Sequence, residues 1–132
     1  EALVSFQNEG REKTWERHRY HHQAIKAGLQ AMGIGFVVAP AHRLPQLNAV
    51  HIPQGTDDAL LRKNLLNEHH LEIGAGLGAM AGKIWRIGLM GHSSQAENVR
   101  LCLSALGQEL ASQKIIGNKD LGLSAANAFY SA

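Results

Sequence analysis

The chain alternates segments of helical periodicity with short β-type runs, and this alternation limits the folds open to it. The first segment predicts one long helix from Ala2 to Met32, because apolar and histidine residues recur on one face at steps of three and four. The residues of that face are Trp15, His18, His22, Ile25, Leu29 and Met32. Gly10 lies inside this segment and costs about 1 kcal/mol relative to alanine, so a bend or a break there remains open.

Four short runs then predict strands or extended segments, at 35–39, 47–52, 71–73 and 84–89. They are bounded by glycine and proline, which interrupt regular structure.

Two further helices are predicted from capping residues. Thr56 is the predicted N-cap of a helix, and its predicted buried side consists of Leu61, Leu65 and Leu66. Ser94 and Glu97 form a predicted capping box at the start of the next helix. The buried face of that helix would consist of Val99, Leu103, Leu106 and Leu110. The tail after Gly117 predicts either a short helix over 121–130 or a mobile segment.

Few strands flanked by helices predict an α+β fold, a two-layer sandwich in which a small, mainly antiparallel sheet carries helices on one face. The 132 residues suit a single domain. Hydrophobic residues form 45% of the chain and charged residues 18%, a balance that excludes a disordered chain. The net charge of +2, with basic and acidic residues interspersed, argues against a nucleic-acid partner.

Cys102 is the only cysteine, which excludes an intramolecular disulfide and favours a reducing, intracellular location. Its place within a predicted helix favours packing over a role as nucleophile. No apolar run reaches the length of a membrane span, and no signal peptide opens the chain. The first residue is Glu1 rather than Met, from which we expect a processed or truncated chain.

Arg86 is the strongest candidate for a functional residue. Side chains alternate between the two faces of a strand, so Trp85, Ile87 and Leu89 would face the helices. Ile84, Arg86 and Gly88 would then face the other way. Gly88 has no side chain and leaves room for a ligand. A guanidinium in this setting matches a planar carboxylate at two points. The alternative is a structural ion pair between Arg86 and a nearby Asp or Glu.

Two other groups of residues were weighed as sites. His18, His21 and His22 could share one helical face and bind zinc, but packing is the stronger interpretation and we predict no metal site. The glycine-rich stretch 74–82 lacks the Gly-Lys-Ser/Thr ending of a phosphate-binding loop. We interpret it as a tight loop that places the strand of Arg86.

The order and spacing of several motifs resemble those of one known family. Residues 44–48 (LPQLN) lead into a strand that ends at 52–53 (IP), and 72–78 (EIGAGLG), 82–91 (GKIWRIGLMG) and 97–99 (ENV) follow. This pattern closely resembles the C-terminal small domain of class V pyridoxal-phosphate aminotransferases, above all the alanine–glyoxylate (serine–pyruvate) group. The resemblance covers roughly 1–111, and the tail from 112 to 132 matches no part of that family's pattern.

The resemblance implies a function and a cofactor. It implies an enzyme that transfers an amino group from alanine or serine to glyoxylate or pyruvate, with Arg86 binding the substrate carboxylate. It also implies that pyridoxal 5'-phosphate, its Schiff-base lysine and its other binding residues belong to a large domain absent from this chain. No lysine of this chain matches the family's, so the chain alone is expected to be inactive. The full-length protein is expected to be a homodimer, in the cytoplasm or in an organelle such as the peroxisome or mitochondrion.

Two alternatives stay open. The chain could be a non-catalytic module of the same fold, in which Trp15 and the first helix serve dimerisation or regulation. It could also come from a sibling enzyme, a serine–glyoxylate or ureidoglycine–glyoxylate aminotransferase. The preferred amino donor is not readable from these residues.

Overall fold

The computed structural model describes residues 1–132, with five helices and a three-stranded sheet. The elements in chain order are α1 (Ala2–Glu9), α2 (Arg11–Ala31), β1 (Leu47–His51), α3 (Asp58–His69), β2 (Gly74–Ala75), β3 (Ile84–Gly88), α4 (Ala96–Ser112) and α5 (Leu121–Ser131). The sheet order is β1-β3-β2 and both pairings are antiparallel. The predicted α+β fold is therefore confirmed. None of the helices combines the length and the apolarity needed to cross a membrane.

The core lies between one face of the sheet and the helices. Val50, Trp85 and Ile87 point from the sheet into this layer, and each is at most 4% exposed. The helices contribute the side chains packed against them, namely Ile25, Leu29, Leu61, Leu65, Val99, Leu103, Leu106, Leu110 and Ala126. The predicted buried faces of α2 and α4 are confirmed from His18 and Val99 onward.

The first predicted helix is divided in two at Gly10. This residue has φ +87 and ψ 141, a conformation that glycine adopts readily and that ends α1 before α2 begins. Trp15 was expected on the buried face but is 45% exposed, and the Arg11 guanidinium lies 5.1 Å from the centre of its ring. That prediction was wrong because Thr14, at 7% exposure, continues the buried side of His18 and His22, and Trp15 is rotated from Thr14 by about 100°.

The start of α3 differs from the prediction by one residue. Asp57, not Thr56, is the N-cap, and its Oδ1 accepts a hydrogen bond from Leu60 N at 3.0 Å.

The predicted buried side of α3 is correct for Leu65 but not for Leu66. Leu66 is 49% exposed although Leu65 is fully buried. Successive residues on a helix are rotated by about 100°, so the two leucines cannot both face the core.

The predicted strand positions are correct for two runs and wrong for two. Residues 47–51 and 84–88 form β1 and β3. Of the run 35–39, only Phe36 pairs, through an isolated bridge to Val50. The run 71–73 is not a strand, because Leu71 N donates to Leu65 O and so completes the end of α3, where His70 has φ +52. The short strand β2 follows it.

The predicted capping box at the start of α4 does not form. Gln95 is the N-cap and contributes no side-chain hydrogen bond, while Ser94 Oγ is buried without a partner. Ser94 instead ends the 3-10 turn Gly91–Ser93, and its N donates to Gly91 O at 3.2 Å. Ser94 therefore lies one residue too early to cap the helix.

The tail forms α5, which matches the first of its two predicted alternatives. α5 packs against α2 and α4. Gly28 on α2 lies so close to Gly122 that a β-carbon added at Gly28 would be 2.8 Å from Gly122 O. Tyr130 hydroxyl is 2.8 Å from His21 Nδ1. α5 is therefore part of the helical layer.

A partly buried hydrogen bond joins the sheet to the start of α3. Trp85 is fully buried, and its Nε1 donates to Asp58 Oδ1 at 2.7 Å. Arg62 donates to both oxygens of the same carboxylate, at 3.0 and 3.2 Å. Burial raises the pKa of Asp58, but the hydrogen bonds from Arg62 and Trp85 outweigh burial, so this pKa lies below its usual value of 3.8.

We predict that Asp58→Asn destabilises the protein at pH 7 by about 1 kcal/mol, because the charge-assisted bonds from Arg62 are lost. Since the pKa of Asp58 is depressed in the folded state, this stabilisation is present above the unfolded pKa and is lost as the pH falls through the folded one. Urea unfolding from pH 7 to pH 2 should therefore show the two proteins converging below about pH 4. Asp57→Asn is the matched control, since asparagine still caps α3. A constant difference between Asp58→Asn and the parent protein at all pH values would refute the prediction.

Candidate functional site

Arg86 lies at the centre of β3, the middle strand of the sheet. The alternation predicted from the sequence is confirmed over 85–89: Trp85, Ile87 and Leu89 are buried at 0%, 4% and 3% exposure, whereas Arg86 is half-buried and Gly88 is exposed. Ile84, also predicted on the face of Arg86, is buried. Arg86 therefore lies on the sheet face away from the helices, which we call the open face.

The open face is lined by small residues next to Arg86. In the antiparallel register, Ala49 of β1 and Gly74 of β2 lie directly opposite Arg86 on its two sides, and Leu47 lies opposite Gly88. Residues directly opposite in a sheet share a face. The guanidinium is thus the main polar group of its surroundings on this face.

The Arg86 guanidinium crosses β2 toward its outer edge. Its Nε donates a hydrogen bond to Ala75 O at 2.8 Å. A β-carbon added at Gly74 would lie 3.3 Å from Arg86 O, slightly closer than an ordinary contact, and 3.4 Å from Arg86 Nη2, at contact distance. The guanidinium is therefore anchored at one nitrogen and has room to lie across β2 because residue 74 carries no side chain.

Arg86 has no acidic partner. The ion pairs of the structure are Arg17–Glu9, Arg62–Asp58 and His69–Glu109. The structural ion pair considered for Arg86 does not form, and both Nη atoms lack an acceptor in the protein. An arginine with two free, coplanar nitrogens is suited to a two-point contact with a carboxylate or phosphate.

Gly88 provides the space expected from the sequence. A β-carbon added there would meet nothing within 4 Å. A separate cavity of about 220 Å³ lies on the helix side of β3, where it is lined by Ile87, Leu89 and Cys102 and not by Arg86. Burial raises the pKa of the Cys102 thiol to about 12, so this residue is a neutral packing group at ordinary pH.

The glycine-rich stretch positions Arg86, as interpreted from the sequence. Its first residues form β2, which pairs with β3, and Gly76 N donates to Ile84 O at 3.0 Å. A β-carbon at Gly76 would lie 2.0 Å from Met80 O, so only glycine permits this close approach. The sequence signalled a tight loop. It did not reveal the role of the Ala75 carbonyl, because that contact depends on the register of β2 against β3.

The three histidines of α2 do not share one site. His18 Nδ1 lies 2.6 Å from Thr14 O, His21 Nδ1 faces Tyr130, and His22 Nδ1 lies 2.8 Å from the side-chain oxygen of Asn48. Burial lowers the pKa of His21 and His22, which favours their neutral forms. The packing interpretation is thus confirmed for His18 and His22, which are both buried.

A different cluster holds possible metal ligands. Glu68, His69 and Glu109 bring ligand atoms within 4.8 Å of one another. Glu109 is only 6% exposed, and its two oxygens are paired with His69 Nε2 at 3.2 Å and Asn64 Nδ2 at 2.9 Å. These hydrogen bonds account for the buried carboxylate by joining α3 to α4.

No family model matches the chain, but individual proteins are similar to it in sequence. The chain is 37% identical over 124 residues to the (S)-ureidoglycine–glyoxylate transaminase of Bacillus subtilis, covering 94% of the chain and 28% of that protein. It is 39% identical over 111 residues to the alanine–glyoxylate aminotransferase of Callithrix jacchus, covering 83% of the chain and 27% of that protein.

A solved structure agrees with these relatives. The crystal structure of ureidoglycine–glyoxylate aminotransferase from Bacillus subtilis superposes with a TM-score of 0.90 at 38% identity, over 96% of this chain and 33% of that one. The chain thus spans about a third or less of the proteins that it matches. It belongs to the class V aminotransferases of the alanine–glyoxylate and ureidoglycine–glyoxylate type, and corresponds to a C-terminal portion of them.

Proposed function

We propose that this chain is the substrate-binding domain of a pyridoxal-phosphate aminotransferase, in which Arg86 binds the α-carboxylate of the amino-acid and 2-oxo-acid substrates. The observation that carries the proposal is the free pair of Nη atoms on Arg86, which is anchored through Nε to Ala75 O and has no acidic partner. The amino acid and the oxo acid share a carboxylate, so one arginine serves both halves of a transamination.

We propose that the binding site of the cofactor lies outside this chain. Pyridoxal phosphate supplies an electron sink and needs a lysine to form its Schiff base, usually in a partly desolvated position. None of the three strands around Arg86 contains a lysine, and Lys83, immediately before β3, is exposed. Lys26, the nearest to burial on α2, lies in the helical layer and donates to Gln23 Oε1. The proposal therefore assigns the cofactor to a separate large domain.

Within such an enzyme Arg86 would bind and orient rather than react. Two parallel N–H···O bonds fix the plane of the carboxylate and so restrict rotation of the substrate about its Cα. The anchor at Ala75 and the space at Gly88 favour this role, because the guanidinium is directed before the ligand arrives. The proposal includes transfer of an amino group from alanine or serine to glyoxylate or pyruvate.

The remaining parts of the proposal concern the whole protein. We propose a homodimer in the cytoplasm, with residues 1–111 as the segment that carries the family's pattern and 112–132 as a C-terminal tail whose helix α5 packs onto it. The alternative of a non-catalytic dimerisation or regulatory module has one observation in its favour: apolar side chains of the first two helices are exposed. They are Leu3, Val4, Phe6 and Trp15. Mass spectrometry of the native protein decides between the two, since a native product beginning near Glu1 would overturn the enzyme proposal.

The identity of the amino donor is a separate question. The relatives include both alanine–glyoxylate and ureidoglycine–glyoxylate enzymes. We propose alanine or serine as donor, with ureidoglycine as the alternative. Initial rates of the full-length protein with a panel of amino donors and glyoxylate test this point, and a strong preference for ureidoglycine would favour the sibling enzyme.

We predict that Arg86→Lys and Arg86→Ala in the full-length protein raise the KM for the amino donor, because a charged two-point contact worth about 1.5–3 kcal/mol is lost. The visible absorbance of the bound cofactor should be retained, since Arg86 does not bind the cofactor. Arg100→Lys is the matched control, because Arg100 lies in the helical layer and bonds Asn127. An unchanged KM in both Arg86 variants would count decisively against carboxylate binding.

We also predict that Gly74→Ala raises the same KM about threefold, because the added methyl would lie 3.3 Å from Arg86 O and 3.4 Å from Arg86 Nη2 and would restrict the position of the guanidinium. Steady-state kinetics of the full-length protein measure this effect. Gly117→Ala is the control, since a β-carbon there meets nothing within 4 Å and its φ is not positive. If Gly74→Ala and Gly117→Ala give the same KM as the parent, the absence of a side chain at residue 74 does not matter for substrate binding.

A further inference from the structure

Arg17 on α2 contacts two distant segments at once. Its Nε and Nη2 donate to the two carboxylate oxygens of Glu9, at 2.5 and 2.8 Å. Its Nη1 donates to Gly91 O at 2.8 Å and to Ser94 O at 2.9 Å. Four of the five N–H groups of this guanidinium are therefore used, and the position of the side chain is closely determined.

Gly91 is bound by α2 at both of its backbone groups. Its carbonyl accepts from Arg17, and its N–H donates to His18 Nε2 at 2.9 Å. His18 is 4% exposed, and its other nitrogen lies 2.6 Å from Thr14 O. Because Nε2 must accept from Gly91, the buried ring donates from Nδ1 to Thr14, and neither nitrogen is free.

The turn that begins at Gly91 matters for the strand of Arg86. β2 begins opposite Arg86, so β3 is hydrogen-bonded on both edges only up to that residue. Beyond it the chain pairs with β1 alone, and the last such bond runs from Leu89 N to Gln46 O at 2.8 Å. β2 forms no hydrogen bonds with this end of the strand. Here the contacts of Gly91 with Arg17 and His18 hold the chain in place instead.

Glu9 extends the same network to α1. It is the last residue of α1, directly before the break at Gly10, and Thr14 Oγ1 also donates to it at 2.8 Å. The hydrogen bonds from Arg17 and Thr14 lower the pKa of Glu9 to about 2, so the carboxylate is charged at any ordinary pH. A cleft of about 650 Å³ lies between α1 and the turn, and Arg17 bridges it.

We propose that Arg17 is a positioning residue for Arg86: by bonding Glu9 of α1 and the carbonyls of Gly91 and Ser94 together, it sets the end of β3 relative to the α1–α2 junction. This inference rests on the proposed carboxylate-binding function. Arg17 does not touch the substrate. It acts through the turn, and its loss allows the end of β3 to shift and the Arg86 guanidinium to lose its alignment.

The test measures competitive inhibition of the full-length aminotransferase by propionate, a carboxylate without an amino group. Arg17→Lys keeps the charge but cannot bond Glu9, Gly91 and Ser94 together, and we expect it to raise the inhibition constant about tenfold. Glu9→Gln, which weakens only the link to α1, should give a smaller rise. Arg19→Lys is the matched control, because Arg19 is exposed two residues away and should change nothing.

A double-mutant cycle separates positioning from general loosening. In the Arg86→Lys background, Arg17→Lys should cause no further rise, because the group that it aligns is gone. An equal rise in both backgrounds would overturn the inference, as would an unchanged inhibition constant in an Arg17→Lys protein that retains the parent's thermal unfolding midpoint and cofactor absorbance. If the proposed function itself is wrong, the result is distinguishable, because Arg86→Lys alone would then leave the inhibition constant for propionate unchanged.

Hydrogen exchange provides a readout that does not depend on catalysis. The Gly91 amide should exchange slowly in the parent protein because it is bonded to His18. Arg17→Lys should accelerate its exchange, since the carbonyls of Gly91 and Ser94 lose the guanidinium that donates to both, and Arg19→Lys should not. Equal protection of Gly91 in all three proteins would overturn the coupling of Arg17 to the turn.

Discussion

β3 is hydrogen-bonded on both of its edges, to β1 on one side and to β2 on the other, and the rest of the molecule is arranged around this strand. Its buried face carries Trp85, whose ring fills the centre of the core and whose Nε1 donates to Asp58 at the start of α3. Its other face carries Arg86. A single five-residue strand therefore joins the packing of the helices to the only candidate site for an anion.

Two absences near Arg86 affect its guanidinium: residue 74 has no side chain, and no carboxylate lies within ion-pair distance. Gly74 has no side chain, so the arginine can cross β2 and donate to the Ala75 carbonyl. No carboxylate of the protein lies within ion-pair distance, so the charge is compensated neither on the strand nor across the open face. A positively charged group with partial burial and free donors favours an anionic ligand, because unpaired buried charge is costly.

The other polar groups inside the molecule are largely paired with each other. Glu109 bonds His69 and Asn64 between α3 and α4, and Asn48 in the sheet pairs with His22 of α2. Such contacts fix the relative placement of elements that apolar packing alone would leave adjustable. Arg17 differs from them in joining the first helix to the turn after β3, which makes the orientation of α1 and the end of the strand interdependent.

Features that follow from local geometry and residue order could be predicted from the sequence alone. Alternation along 84–89 assigned Arg86 its face, periodicity located the buried side of α4, and the motifs of 44–99 indicated the family. Which groups meet in space could not be predicted in this way. The exposure of Trp15, the end of α3 at Leu71, the failure of Ser94 to cap α4 and the anchoring of Arg86 on Ala75 each depend on register or on packing between residues distant in the chain. Local patterns do not encode these contacts, because strand register and helix placement are set by the whole core at once.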